Sequence, residues 1–163
     1  KRRSVAGRLL GRVAVGQHEA PVVGRGAERR HMSAHPAGAV IVGRSAVVGR
    51  PVASLLLARD ATVVICHRST RDLARETRAA DLLVAAAGVP GLIRAEMVGT
   101  SATVIDCGIN TVDGGIVGDV DTAAVAAIVE AISPVPGGVG PVTPMMVLRQ
   151  TVEAAERASS SSA

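Results

Sequence analysis

From Ala39 onward the chain alternates between short apolar runs and stretches with helical spacing. Val40-Ile41-Val42 is an apolar run of strand length that stops at Gly43. After a small polar turn at Arg44-Ser45, the apolar positions return at Val52, Ala53, Leu55, Leu56 and Leu57 with the period of a helix. The pattern predicts a strand at 40–42 and a helix at 49–58, with Pro51 in the first turn, where its missing donor costs nothing. Asp60-Ala61 turns the chain into the strand 62–65, and Thr70 offers a cap for a helix over about 71–79. Asp81 precedes the buried strand 82–86. Gly88-Val89-Pro90-Gly91 is a loop, 94–98 holds at most a short helix, and 102–106 is another buried strand. Strands alternating with helices on connections of this length predict an α/β fold, a parallel sheet with helices on both faces.

The later part is less regular. Asp113-Gly114-Gly115 is a hairpin-turn signal within 110–118, and Asp119-Val120-Asp121 opens a helix over roughly 122–130. Residues 132–135 read as a last short strand. After the irregular Pro136 to Pro141, Thr143-Pro144 reads as an N-cap followed by a first-turn proline. In that final helix Met145, Leu148, Val152 and Ala155 share one face, which is expected to dock on the sheet. The chain thus divides into an irregular segment at 1–38, a regular domain at 39–158 and a frayed tail at 159–163.

Composition sharpens this division. At 163 residues there is enough chain for one domain with a real core, and without Phe, Trp or Tyr that core must be aliphatic. Residues 1–39 hold eight Lys or Arg against two Glu, whereas the remainder is slightly acidic. The basic character belongs to the N-terminal segment, and without aromatic residues to stack on bases it argues against nucleic-acid binding. No apolar stretch is long enough for a bilayer, and residues 1–15 lack a signal-peptide core, so no membrane partner and a cytoplasmic location are expected. Cys66 and Cys107 end their strands singly and form no metal-like cluster.

The candidate chemistry lies where the strands end, because ligands of an open parallel sheet bind beyond the carboxyl ends of its strands. Those ends are Gly43-Arg44-Ser45, Cys66 to Thr70, Ala87 to Pro90 and Asp106 to Asn110. The first is a strand-turn-helix phosphate site, in which Gly43 permits a sharp turn and Gly49 a close approach. The second selects the nucleotide. An NAD site places a carboxylate there for the ribose hydroxyls, but this chain offers His67, Arg68, Ser69 and Thr70, with no carboxylate before Asp72. Arg68, with Arg44 closing from the first loop, suits the added 2′-phosphate of NADP. His67 reads as a loop hydrogen-bonding group and Asp106 as a residue that orders the glycine loop after it. No metal-ligand spacing or Ser-His-Asp order stands out.

Gly43-Arg44-Ser45 with Val48-Gly49-Arg50-Pro51, Cys66-His67-Arg68-Ser69-Thr70, Val104 to Asn110, Gly118-Asp119-Val120 and the block Pro134 to Thr143 stand in a characteristic order. Over about 39–157 they closely resemble the bifunctional methylenetetrahydrofolate dehydrogenase/methenyltetrahydrofolate cyclohydrolase family, in its Rossmann-like NADP-binding domain. The resemblance implies that Gly43, Arg44 and Ser45 hold the cofactor phosphates, that Arg68 and Ser69 lie near the 2′-phosphate, and that Ile109 and Thr143 border the nicotinamide. It also implies a tetrahydrofolate substrate, a homodimer, and hydride transfer to NADP⁺ followed by hydrolysis of the methenyl product. The family's Tyr-x-x-x-Lys pair belongs to an N-terminal catalytic domain. This chain has no tyrosine and a single lysine, Lys1, so no catalytic residue is assigned and the chain is expected to be inactive alone. A non-catalytic NADP-binding or dimerisation module is the alternative.

Overall fold

The computed structural model describes residues 38–160; the expectations placed on 1–37 and 161–163 lie outside the described residues. Five parallel strands form the main sheet: β1 (Gly38–Val42), β2 (Thr62–Cys66), β3 (Leu82–Ala85), β4 (Thr103–Asp106) and β7 (Ala131–Ser133). Their spatial order is β2-β1-β3-β4-β7. The chain winds outward from β1 to β2, returns past it to β3 and continues the other way, so the order reverses at β1. The hairpin of β5 (Asn110–Val112) and β6 (Gly115–Val117) stands apart as a two-stranded sheet, turning at Asp113-Gly114 as its sequence signals. The expected α/β, Rossmann-like layering is therefore what the chain adopts.

Alternation along each strand sends successive side chains to opposite faces. Val40, Val42, Leu83, Ala85, Val104 and Ile132 join one buried cluster, completed from outside the sheet by Ala80, Ile93, Val98, Val120, Val125 and Val129. Ala39, Ile41, Leu82 and Val84 face the other way and pack beneath α1 (Gly49–Leu57) through Ala53, with Val52 and Leu56 at its margin. With no aromatic ring available, both clusters consist of small aliphatic side chains.

Five local expectations change. The second helix, α2 (Leu73–Arg78), is capped by Asp72, whose carboxylate accepts the Arg75 N–H at 2.9 Å. Thr70 is unavailable for that purpose because its hydroxyl accepts the N–H of His67. The helix α3 (Thr122–Val125) is capped by Asp121 but is shorter than 122–130, since the chain must turn back to enter β7. β7 itself ends at Ser133. The final helix, α4, runs from Val139 to Ser160. Thr143 and Pro144 lie inside it, and the Thr143 hydroxyl donates to the Val139 carbonyl instead of capping. Nor does α4 dock on the sheet. None of its residues is buried, and Met145 and Leu148 are 42% and 61% exposed.

Candidate functional site

The carboxyl edge of the sheet gathers the loops after β1, β2, β3 and β4, and backbone contacts hold them together. Gly43 donates its N–H to the Cys66 carbonyl at 2.9 Å, joining the ends of β1 and β2. It adopts φ of 126°, and a Cβ there would fall on the Ala86 carbonyl oxygen, so the turn after β1 lies flat against the end of β3. Gly49 is equally constrained, because a Cβ would strike the Gly43 carbonyl. Only glycine fits at either place, and the two let the start of α1 close on the end of β1.

Ser45 and His67 fix their own loops. The Ser45 Oγ accepts the N–H groups of Val48 (3.0 Å) and Gly49 (3.3 Å) at the start of α1. The hydroxyl's hydrogen stays available to donate. His67 Nδ1 accepts the Ser69 N–H at 3.1 Å, while Thr70 spans the turn with bonds to the His67 N–H and carbonyl. That is the hydrogen-bonding role expected of His67. Arg44, Arg68 and Ser69 are exposed, and neither arginine makes an ion pair or hydrogen bond among the described residues. Two exposed guanidinium groups therefore follow the ends of adjacent parallel strands, with no carboxylate in the β2 loop before Asp72.

The other half of the edge is organised by two buried carboxylates. Asp106, at the end of β4, accepts the N–H groups of Gly108 (2.8 Å), Asp119 (3.0 Å) and Val120 (3.0 Å). This is how it orders the glycine loop. Asp119 accepts from Gly88 (2.8 Å), Val89 (3.0 Å), the Ala87 N–H and the Asn110 side-chain amide (2.8 Å). It thereby fixes the loop after β3 from 30 to 32 positions away. Cβ atoms at Gly118 or Gly108 would collide with the Asp106 and Asp119 carboxylates, so both glycines are sites of close approach. Burial pushes the Asp106 carboxyl above its usual range; the three N–H donors oppose the shift and the Asp119 charge adds to it. The Cys107 thiol is pushed up to about 11 by burial and then by both carboxylates. Burial also raises Cys66. Both thiols stay protonated at neutral pH and are not poised as nucleophiles.

Of the residues singled out from the sequence, the fold brings Gly43, Arg44, Ser45, Arg68, Ser69 and Ile109 to this one edge. Ile109 is 73% exposed, three residues after the end of β4. Thr143 lies on the exposed second turn of α4. Asp119 escaped the sequence reading as a site residue because it looks like part of a helix start. Its flanking glycine, Gly118, was the available signal.

A parallel sheet whose order reverses beside a glycine-only turn, with cationic side chains at the strand ends, is the geometry of a dinucleotide crevice. Residues 20–159 match the family model "Tetrahydrofolate dehydrogenase/cyclohydrolase, NAD(P)-binding domain". The chain belongs to this family. The match starts at residue 20, earlier than the start near residue 39 expected from the motifs. Among relatives, the bifunctional protein FolD 1 of Saccharopolyspora erythraea is 51% identical over 141 residues, which is 86% of this chain and 44% of that protein. The bifunctional protein FolD of Chloroflexus aurantiacus is 59% identical over 117 residues, 71% of this chain and 41% of that protein. The crystal structure of the Campylobacter jejuni bifunctional FolD enzyme superposes with a TM-score of 0.74 at 48% identity, covering 76% of this chain and 44% of that one. The Trypanosoma brucei dehydrogenase-cyclohydrolase, solved with NADP cofactor and inhibitor, gives 0.70 at 42% identity, covering 74% and 44%. The chain therefore spans less than half the length of the relatives it matches.

Proposed function

We propose that this chain is the NADP-binding half of a methylenetetrahydrofolate dehydrogenase and methenyltetrahydrofolate cyclohydrolase of folate one-carbon metabolism. The observation that carries the reading is the pair of exposed arginines, Arg44 and Arg68, after the ends of adjacent strands β1 and β2, neither with a side-chain partner among the described residues. The residues present fit the cofactor. Gly43 and Gly49 keep side chains out of the turn, and Ser45 retains a hydroxyl hydrogen to donate to a phosphate oxygen. Arg68 and Ser69 would hold the 2′-phosphate, and Arg44 would close over the phosphates from the first loop. By the family resemblance, Ile109 and Thr143 would border the nicotinamide.

Bound there, NADP⁺ would supply the hydride acceptor for the methylene group of the folate. The chain's own contribution is to bind and orient, since it carries no Tyr-x-x-x-Lys pair to move protons. Tetrahydrofolate is accordingly met together with the catalytic half found in the full-length relatives, in a homodimer in the cytoplasm. No helix among the described residues is long and apolar enough to cross a membrane.

Titration with NADPH and NADH tests the reading. NADPH binds more tightly, and Arg68→Ala weakens it roughly 30-fold, the loss of one charge-assisted phosphate contact, while leaving NADH nearly unchanged. Equal affinity of the native chain for both would overturn it. Mixing the chain with the catalytic half of a relative restores folate turnover if the chain is an enzyme's cofactor half, and does not if it is a non-catalytic binding module.

A further inference from the structure

A dinucleotide lies across the point where strand order reverses, with one nucleotide on either side of it. Here β2 lies on one side of β1, and β3 and β4 lie on the other. With the 2′-phosphate read at Arg68, beyond β2, the nicotinamide half falls to the loops after β3 and β4. Each of these loops carries an exposed aliphatic side chain, Val89 in the first and Ile109 in the second. Neither stands on slack backbone. Val89 donates its own N–H to Asp119 Oδ1 at 3.0 Å. Ile109 is held from both sides. The Gly108 N–H before it donates to Asp106 Oδ1 at 2.8 Å. The buried Asn110 after it donates its carboxamide to Asp119 Oδ1 at 2.8 Å and reaches the Val117 carbonyl at 3.4 Å. One carboxylate oxygen thus accepts from both loops, and Asn110 is the side chain that brings the second loop to it.

We propose that Asn110 is a positioning residue for the nicotinamide half of the cofactor. Its carboxamide, by holding Asp119 Oδ1, sets Ile109 relative to Val89, so that the two aliphatic side chains are arranged before the ligand arrives. The inference rests on the NADP reading above and deepens it. A hydrogen bond to a buried carboxylate is stronger than one between neutral groups, which suits Asn110 to keeping two loops in register. Without the carboxamide, Asp119 keeps its N–H donors at Ala87, Gly88 and Val89, and Asp106 keeps those at Gly108, Asp119 and Val120. The edge therefore stays folded while the second loop loses its side-chain tie to the first. Binding must then order what the free protein no longer orders, and affinity falls for a ligand that reaches both loops. A ligand confined to the loops after β1 and β2 is unaffected.

Two ligands separate these cases. NADPH and adenosine 2′,5′-bisphosphate, which has the phosphorylated adenosine but no nicotinamide, are titrated into the 163-residue chain and into Asn110→Ala. NADPH binds the variant roughly fivefold more weakly, and the bisphosphate binds both proteins equally. A carboxamide that served the fold alone would shift the two ligands alike or shift neither, and either result overturns the proposal. A measurement on the native chain stands even if Asn110→Ala fails to fold. By reciprocity, a tie that favours the nicotinamide is itself favoured by it. Saturating NADPH therefore slows solvent exchange of the Asn110 side-chain amide about fivefold relative to the saturating bisphosphate. Equal exchange in the two complexes overturns the role of Asn110 while leaving the NADP reading in place. A native chain that binds NADPH no more tightly than NADH overturns both.

Discussion

The two faces of the main sheet are built to different standards. One is closed by fourteen buried residues, drawn from five strands, α3 and the loops between them. The other has five, beneath α1 alone, and its margin at Ile105 and Cys107 is half-open. Both come from the same alternating strands, so strand sequence does not account for the difference. What differs is the covering. The connections after β3 and β4 return across the first face, whereas among the described residues the second face is covered by α1, and α4 buries none of its residues. The lesson is that an apolar helical stripe defines a surface that wants a partner without naming the partner.

The adjacent residues Leu83 and Leu82 isolate this contrast, because they share a strand and a chemistry and differ only in the face they enter. Leu83→Ala is expected to cost about 4 kcal/mol, since its surroundings are packed from every side, and Leu82→Ala about 2.5 kcal/mol, because a site under one helix collapses more readily. Denaturant unfolding of the two variants measures this, and equal losses would show the second face to be as fully enclosed as the first. A smaller effect is expected at the carboxyl edge of the sheet. Asp119→Asn keeps the volume but turns an amide toward N–H donors, costing about 2 kcal/mol and loosening NADPH binding several-fold. Solvent exchange at the Ala87, Gly88 and Val89 amides should rise in the same variant, and unchanged protection would show that the carboxylate does not hold the loop. The least of these effects is chemical. Because burial and two neighbouring carboxylates raise Cys107 to about 11, its alkylation by iodoacetamide stays slow through neutral pH and accelerates only toward that value. A midpoint near the ordinary 9.0 of a free thiol would mean that the second face is open to water at this position.

Much of this was legible in the sequence, for reasons that particular residues make plain. The strands were readable because buried parallel strands are continuous apolar runs, and the turn after β1 because Gly43 and Gly49 sit where backbone must touch backbone. Helix starts were less so. Thr70 and Thr143 both carry the right side chain for a cap, but each hydroxyl is committed elsewhere, to the His67 N–H and the Val139 carbonyl. A neighbour two residues on, Asp72, takes the first position. Of the candidate site, the residues contiguous with strand ends were found and Asp119 was not. Its partners at 87–89 are remote in sequence, and only the folded chain brings them within reach.

The two buried aspartates also determine what the β5–β6 hairpin is free to do. Asp106 grips Gly108 on one side of the hairpin and Asp119 and Val120 on the other, so everything between is a closed excursion tied off at its base. The tip at Asp113-Gly114 projects from this knot without carrying tension into the crevice. It is therefore the natural place to graft a peptide tag or a fluorescent label while leaving the architecture of the strand-end loops intact.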